Sequence, residues 1–496
     1  MRNIYKSFVL GVALVTLSSC GNNWLDLDPN SEIPTEKAIV DYKSADVALT
    51  GIYNGLQGTS SKTTYYGTSM WLYGDVRGED MQSSALSSRG SGFYSMKYTA
   101  NDAPSMWGVP YNVILRVNRL IEAIDSNKIG DATPAQLDAM KSQALAIRAL
   151  VHFDLCRIYG APYNVDNGAS YGIPIVLETL PVASQETRNT VAEVYEQVIK
   201  DIEKSLEVGG LTKEKNYGYV NYWFVKGLLA KVYLYKGDND KALETSEEVI
   251  QSSPYELWTN EEYVDGWKTT DKGRKEMLFE IVNFSAESWT DREGIANIMS
   301  PYGYADAVAT KAFIDVLATT PDDVRNKILI ESVKAGSIKL FGKSKVFVNK
   351  YPRNEAGEWR LNSLPAMRLS EVYLFAAEAA AKLGDPQKAA RYLNAIHKRA
   401  NPKAADITAA EATLERVILE RRKELIGEGS RFFDAMRNNE TITRYTNEEN
   451  RGFHPSLDDV SRSFNRTYFR TLLPIPLSET NVNAPIRAQQ NPGYGK

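Results

Sequence analysis

Cysteine is nearly absent from this chain: among 496 residues it occurs only at Cys20 and Cys156. That excludes a disulfide framework, so stability must come from burial, for which the chain is amply long. Histidine is almost as scarce. His152, His397 and His454 are isolated, and neither an HExxH nor a CxxC pattern is present. Without such clusters a structural or catalytic zinc site is not expected. No GxSxG elbow occurs either. The segment from Gly336 to Gly342-Lys343-Ser344 superficially resembles a phosphate loop, but five residues separate its glycines where four are required. An excess of one charge is also missing. Fifty-eight basic residues face 62 acidic ones, for a net charge of −4. Nothing here provides an electrostatic footprint for nucleic acid.

The N-terminus contains an apolar run from Phe8 to Leu17, preceded by Arg2 and Lys6. It is shorter than the roughly 20 residues a bilayer span needs, and reads as a secretory signal over residues 1–19. Leu17-Ser18-Ser19-Cys20 resembles a bacterial lipoprotein box. Cleavage there would leave Cys20 as an acylated N-terminus, each buried methylene contributing about 0.8 kcal/mol of anchoring. Without Arg2 and Lys6 the net charge of −4 becomes about −6. Residues 20–35 are polar, contain Pro29 and Pro34, and read as a lipidated tether.

Helical periodicity dominates the rest of the chain. Leu137, Met140, Leu145, Ile147, Leu150, Val151, Phe153, Leu155 and Ile158 form a broad apolar stripe between Gln136 and Tyr159. A second helix is expected from Asn189 to Val208, and a pair from Tyr219 to Tyr235 and from Asn239 to Ser252. In that pair Gly237 ends the first helix, Ala242 follows five residues later and Pro254 closes the second. These offsets match the tetratricopeptide hairpin, and Gly384, Ala389 and Pro402 repeat them with the proline one place late. Residues 57–105 are rich in Ser, Thr, Gly and Tyr. Residues 255–365 mix Gly, Trp and Tyr with β-like runs at Met277–Phe284 and Lys345–Tyr351. The expected architecture is mainly α. A single domain spans 36–496, with a helical scaffold over about 136–254 and 366–437 and loop-rich insertions at about 57–105 and 255–365. Long insertions of this kind are where binding surfaces usually lie.

Charges are densest from Glu420 to Arg437, where Glu420, Arg421, Glu424 and Glu428 fall at helical spacings. The segment reads as an ion-pair network joining helices in preference to an anion site.

Several motifs occur in the order found in the SusD/RagB family, which the chain resembles from end to end. Trp24-Leu25-Asp26-Leu27-Asp28-Pro29 is similar to the family's opening. Trp107, Tyr111, Ile114, Asn118, Leu120 and Ile121 resemble its early helix. Arg148-Ala149 through Tyr159-Gly160-Ala161-Pro162 resemble its Arg-Ala…Tyr-Gly-Pro helix end. Arg368 to Gly384 and Glu420 to Arg437 come next, and Leu473-Pro474-Ile475-Pro476 and Gln490-Asn491-Pro492-Gly493-Tyr494 close the chain. The resemblance implies an α-rich fold with tetratricopeptide-like helix pairs. It also implies an outer-membrane lipoprotein facing the exterior, which captures glycan or, as in the RagB branch, peptide. The captured ligand would pass to a SusC-like TonB-dependent transporter. In the family these motifs are structural, and none marks the ligand site.

Ligand candidates therefore come from composition and position. A sugar offers apolar C–H faces rimmed by hydroxyls and calls for exposed rings beside polar groups. Phe93, Tyr94 and Tyr98 in the first insertion, and Trp289, Tyr302 and Tyr304 in the second, are the candidate rings. Asn101, Asp291, Arg292 and Asn297 are their candidate polar neighbours. Trp107, Trp223 and Tyr373 lie on amphipathic helices and are assigned to the core. No catalytic residue, metal or cofactor is assigned, and the chain is expected not to be an enzyme. A surface glycosidase, which needs a carboxyl pair roughly 5–9.5 Å apart, is the least favoured alternative. Replacing Cys20 with Ala should release the protein from the membrane fraction; retention there without acylation would overturn the anchor.

Overall fold

In the computed structural model of the protein the described residues are 38–58, 65–84, 88–104, 106–268, 273–283, 294–331, 339–340, 343–352, 362–444 and 457–495. Cys20, the signal and the tether lie outside them, as do Trp289, Asp291, Arg292 and His454.

The principal helices are α1 (Tyr42–Gln57), α2 (Ser69–Asp75), α3 (Gly108–Asp125), α4 (Pro134–Tyr159), α5 (Val191–Val208), α6 (Tyr222–Lys236) and α7 (Asn239–Ser252). After the second insertion come α8 (Leu369–Lys382), α9 (Pro386–Ala400), α10 (Leu414–Leu425) and α11 (Arg431–Arg437). Side chains start them where backbone N–H groups lack helical partners. Thr133 and Gln136 form a capping box for α4, as do Thr190 and Glu193 for α5. Asn221 accepts from the N–H groups of Trp223 and Phe224, each at 3.0 Å, and so delays α6 past the Tyr219 start that periodicity suggests.

Helices pack in sequence along the scaffold, α1 on α3, α3 on α4, α4 on α5, and so on through α6 and α7. The scaffold therefore begins before residue 136. Gly237 and Gly384 end α6 and α8 with left-handed φ of 91° and 73°, a conformation that favours glycine. Ala242 and Ala389, fully buried, let each following helix approach closely. Most informative is the contact of α7 with α8. These helices are neighbours in space although 255–365 separates them in sequence, so the insertion leaves the stack and returns to the place it left.

Both insertions contain ordered, buried structure, not open loop alone. Strand β1 (Met81–Ser83) pairs antiparallel with β3 (Ala307–Ala309), joining the first insertion to the second. Strand β2 (Met277–Ile281) pairs with β6 (Leu364–Arg368), and β4 (Leu329–Glu331) with β5 (Val346–Val348). Residues 339–340 and 343–344 form a small antiparallel pair inside the stretch that superficially suggested a phosphate loop.

The charge-dense segment forms a buried ion-pair network larger than a lock between two helices. Arg368 meets Glu276 and Glu424 at 2.7 Å and Glu428 at 2.7 Å. Arg399 reaches Glu424 at 2.5 Å and Glu276 at 3.4 Å, while Arg325 contacts Asp323, Glu420 and Glu424. A second group joins Arg437 to Glu378 and Asp434, with Arg421 on the same Asp434. Burial alone would raise the Glu424 carboxyl. Arg399, Arg368, Arg325 and Lys350 instead hold it far below the usual carboxylate range.

One buried acid has no cation in bonding contact among the described residues. Asp75, ending α2, accepts from the Gly429 N–H at 2.8 Å, where Gly74 packs so tightly that a Cβ on it would stand 1.8 Å from the Gly429 carbonyl oxygen. Burial, with Glu428 and Asp80 adding to it, pushes the Asp75 carboxyl up to about 8, against the pull of Gly429 and Lys350. Because this pKa exceeds the unfolded value of 3.8, the associated stability is complete below pH ~4 and is lost as pH rises through about 8. Asp75→Asn keeps the acceptor for Gly429 and does not titrate. Thermal melts should find it close to wild type at pH 4 and more stable by about 1 kcal/mol or more at pH 8.5. Equal stability at pH 8.5 would contradict the assignment.

Candidate functional site

Phe93, Tyr94 and Tyr98 are buried, which corrects the expectation that they form an exposed platform. Phe93 meets Tyr73 edge-on at 5.6 Å between ring centres, the Arg444 guanidinium lies 5.0 Å over the Tyr94 ring, and the Tyr98 hydroxyl donates to the Arg470 carbonyl at 2.9 Å. Their rings supply the first insertion with its own apolar interior. Asn297 is also buried, its carbonyl accepting from the Tyr304 N–H at 2.9 Å. Tyr302 is half-buried and Asn101 exposed. Tyr304 is 37% exposed, but the Arg89 guanidinium sits 3.3 Å from its ring centre and pairs with Asp306 at 3.0 Å. One face of that ring is already covered. Trp107 and Trp223 lie in the core and Tyr373 packs against it, as their helical positions imply.

Among the described residues the exposed aromatic side chains are Tyr171, Tyr219 and Tyr304. Tyr219, 51% exposed, borders a cleft of about 570 Å3. Three segments build it. Thr50, Tyr53, Asn54 and Gln57 come from the last two turns of α1, Tyr217, Gly218 and Tyr219 from the turn before α6, and Ile281 and Val282 from the end of β2. The turn depends on its glycine: Gly218 has φ 79°, and a Cβ there would lie 2.6 Å from a methyl of Val282. Tyr219 meets Tyr53 in a T-shaped contact, 5.3 Å between ring centres with the planes 80° apart, which steadies the half-exposed ring.

Tyr53 is fixed from below. Its hydroxyl donates to Gln143 Oε1 at 2.6 Å and accepts from the Val220 N–H at 2.9 Å. Burial keeps its phenol well above the usual range, so it stays neutral. The Tyr217 hydroxyl lies 3.3 Å from Ser363 Oγ. The described lining therefore consists of tyrosine rings, two amide side chains, a threonine and aliphatic groups, with no charged side chain. Such a surface suits a neutral ligand with apolar faces and many hydroxyls. No carboxylate stands in that described lining to act as acid or base.

A second cavity, about 460 Å3, opens between the end of α4 and α11. Its two cations are engaged, Arg157 by Asp154 and Arg437 by Glu378 and Asp434. Among the described residues no cluster of three or more His, Cys, Asp or Glu is arranged to hold a metal ion. No helix among them is long and apolar enough to cross a membrane.

Helical periodicity hides Tyr219, because the ring continues the apolar pattern of α6. The usable signal is local: Tyr217-Gly218-Tyr219 is a turn flanked by rings, and Asn221 is a helix cap.

The profile of the SusD family matches residues 322–494, and a profile described as starch-binding associating with outer membrane matches residues 23–234. A SusD superfamily protein of Bacteroides vulgatus, of known crystal structure, is 34% identical with a TM-score of 0.84, the match covering 92% of this chain and 100% of that one. A SusD-like protein of Bacteroides ovatus is 24% identical over 487 residues, covering 88% of this chain and 83% of its own. Surface glycan-binding protein A of Bacteroides thetaiotaomicron, solved in complex with laminarihexaose, is 21% identical with a TM-score of 0.71, covering 91% and 99% of the two chains. At that last identity the likeness is one of fold.

Proposed function

Because the chain belongs to the SusD family, we propose that it captures a neutral glycan at the Tyr219 cleft and passes it to a TonB-dependent transporter of the outer membrane. In this reading Cys20 carries the lipid anchor, the protein faces the exterior and no bond of the glycan is broken. The observation that carries it is the cleft: a half-exposed ring held edge-on by Tyr53, beside Asn54 and Gln57, without a charge in its described lining. A pyranose stacks its C–H face on such a ring while its hydroxyls find the amides. The names of related proteins agree with this chemistry, one having been solved with laminarihexaose and one profile being described as starch-binding. Tyr302, Tyr304, Asn101, Trp289, Asp291 and Arg292 remain candidates for further contacts.

Calorimetry with laminari-, malto-, cello- and xylo-hexaose, set beside a peptide mixture, tests the reading. At least one neutral hexasaccharide should bind, and Tyr219→Ala should weaken it by roughly 1–3 kcal/mol, the scale of base–aromatic stacking. Binding of peptide alone would refute it, and release of shorter sugars on long incubation would replace capture by hydrolysis.

A further inference from the structure

Beneath the cleft, side-chain amides form a directed chain. Asn54 Nδ2 donates to Gln57 Oε1 at 3.4 Å, and Gln57 Nε2 donates to Asn283 Oδ1 in a short contact. Asn283 Nδ2 donates to the Asn362 carbonyl at 2.7 Å, and Asn362 Nδ2 donates to the Pro352 carbonyl at 2.6 Å. Asn54 is exposed, whereas Gln57, Asn283 and Asn362 are buried. Gln57 and Asn283 each accept on the amide oxygen and donate onward from the amide nitrogen, the arrangement in which bonds polarise one another in a low-dielectric interior, while Asn362 accepts on its main-chain carbonyl.

The chain links three distant parts of the sequence. Gln57 ends α1, Asn283 follows β2, and Asn362 precedes β6 while reaching back to Pro352. The residues it joins adjoin the cleft walls. Gln57 itself lines the cleft, Val282 beside Asn283 lines it, and Ser363 beside Asn362 meets the Tyr217 hydroxyl. Strands β2 and β6 are paired at Ile281 and Leu364, so backbone hydrogen bonds already hold the two ends side by side. Backbone pairing does not fix how far those ends stand from α1. Tyr53 packs edge-on against Phe279 of β2, and beyond that contact the Gln57 side chain adds hydrogen bonds from α1 to the end of β2, reaching Asn283 and lying 3.5 Å from the Val282 carbonyl.

We propose that Gln57, Asn283 and Asn362 are positioning residues that hold the two walls of the Tyr219 cleft at the separation its ligand requires. The inference rests on the reading of that cleft as the capture site. It assigns affinity to groups beneath the sugar as well as to rings in contact with it. Preorganised walls spare the ligand the ordering cost it would otherwise meet on binding.

The test uses the full chain with laminarihexaose, or whichever neutral hexasaccharide binds wild type best. Asn283→Ala and Asn362→Ala, both outside the lining, should weaken binding roughly tenfold or more, the scale of one lost hydrogen bond, at unchanged stoichiometry. Hydrogen exchange should quicken at 281–283 and 362–364 and stay unchanged through α6 to α9. Asn283→Asp, nearly isosteric, retains the acceptor for Gln57 and loses the donor to Asn362, so it should move both readouts the same way even where the alanine variants fold poorly. Affinity within about twofold of wild type in a folded variant would overturn the inference while leaving glycan capture intact. If wild type binds no hexasaccharide, the functional reading fails. The positioning claim is then decided by exchange, confined quickening supporting it and quickening spread over the scaffold overturning it.

Discussion

Glu424 is the residue on which the architecture turns. Its side chain faces Arg368 at the end of β6, Arg399 of α9 and Arg325 from the second insertion, and its backbone carbonyl accepts from Lys350. A buried carboxylate with several cations is tolerable only while all of them stay in place. Removing one partner of such a pair typically costs about 3–5 kcal/mol, since the other charge is left buried and unmatched. The network therefore makes the insertion conditional on the scaffold: 323–325, 350 and 368 dock where α9 and α10 present acids and bases in matching positions.

That conditional docking reconciles a repetitive stack with a single specific surface. Helix pairs ending in left-handed glycines bury their faces against the next pair and have little reason to be interrupted. Here α7 and α8 remain in contact although 255–365 runs out between them. The excursion pairs β2 with β6 near its own two ends and β3 with β1 of the first insertion. Charges lock the inner end of β6 through Arg368, and amides span its outer end near Asn362. The cleft lies on that outer side, where its described lining is uncharged although a buried Arg274–Glu280 pair holds the Ser363 carbonyl behind it.

Much of the scaffold was legible in the residues. Gly237 with Ala242, and Gly384 with Ala389, announce hairpins because a left-handed turn and a close helix approach each demand particular side chains. The Glu420–Arg437 segment announces ion pairs because its charges recur at helical spacing. The candidate rings show the limit of such reasoning. Phe93, Tyr94 and Tyr98 lie in a Ser- and Gly-rich stretch and read as exposed, yet that stretch folds over its own aromatic interior. Tyr219 reads as part of α6 and stands outside it, since the Asn221 cap moves the helix start. Composition reports how many rings a segment has, and burial depends on what packs against them.

Local pattern alone, with the order of its motifs, determined the helical class, the family and the two hairpins. These come from periodicity, capping and backbone conformation, which act over a few residues. Which rings meet solvent, which strands pair across more than 80 residues, and which charges lie within bonding distance were decided only by the tertiary structure. Gln57 and Asn283 are 226 positions apart and touch. No local rule of spacing encodes such a contact, because it arises when the whole stack closes.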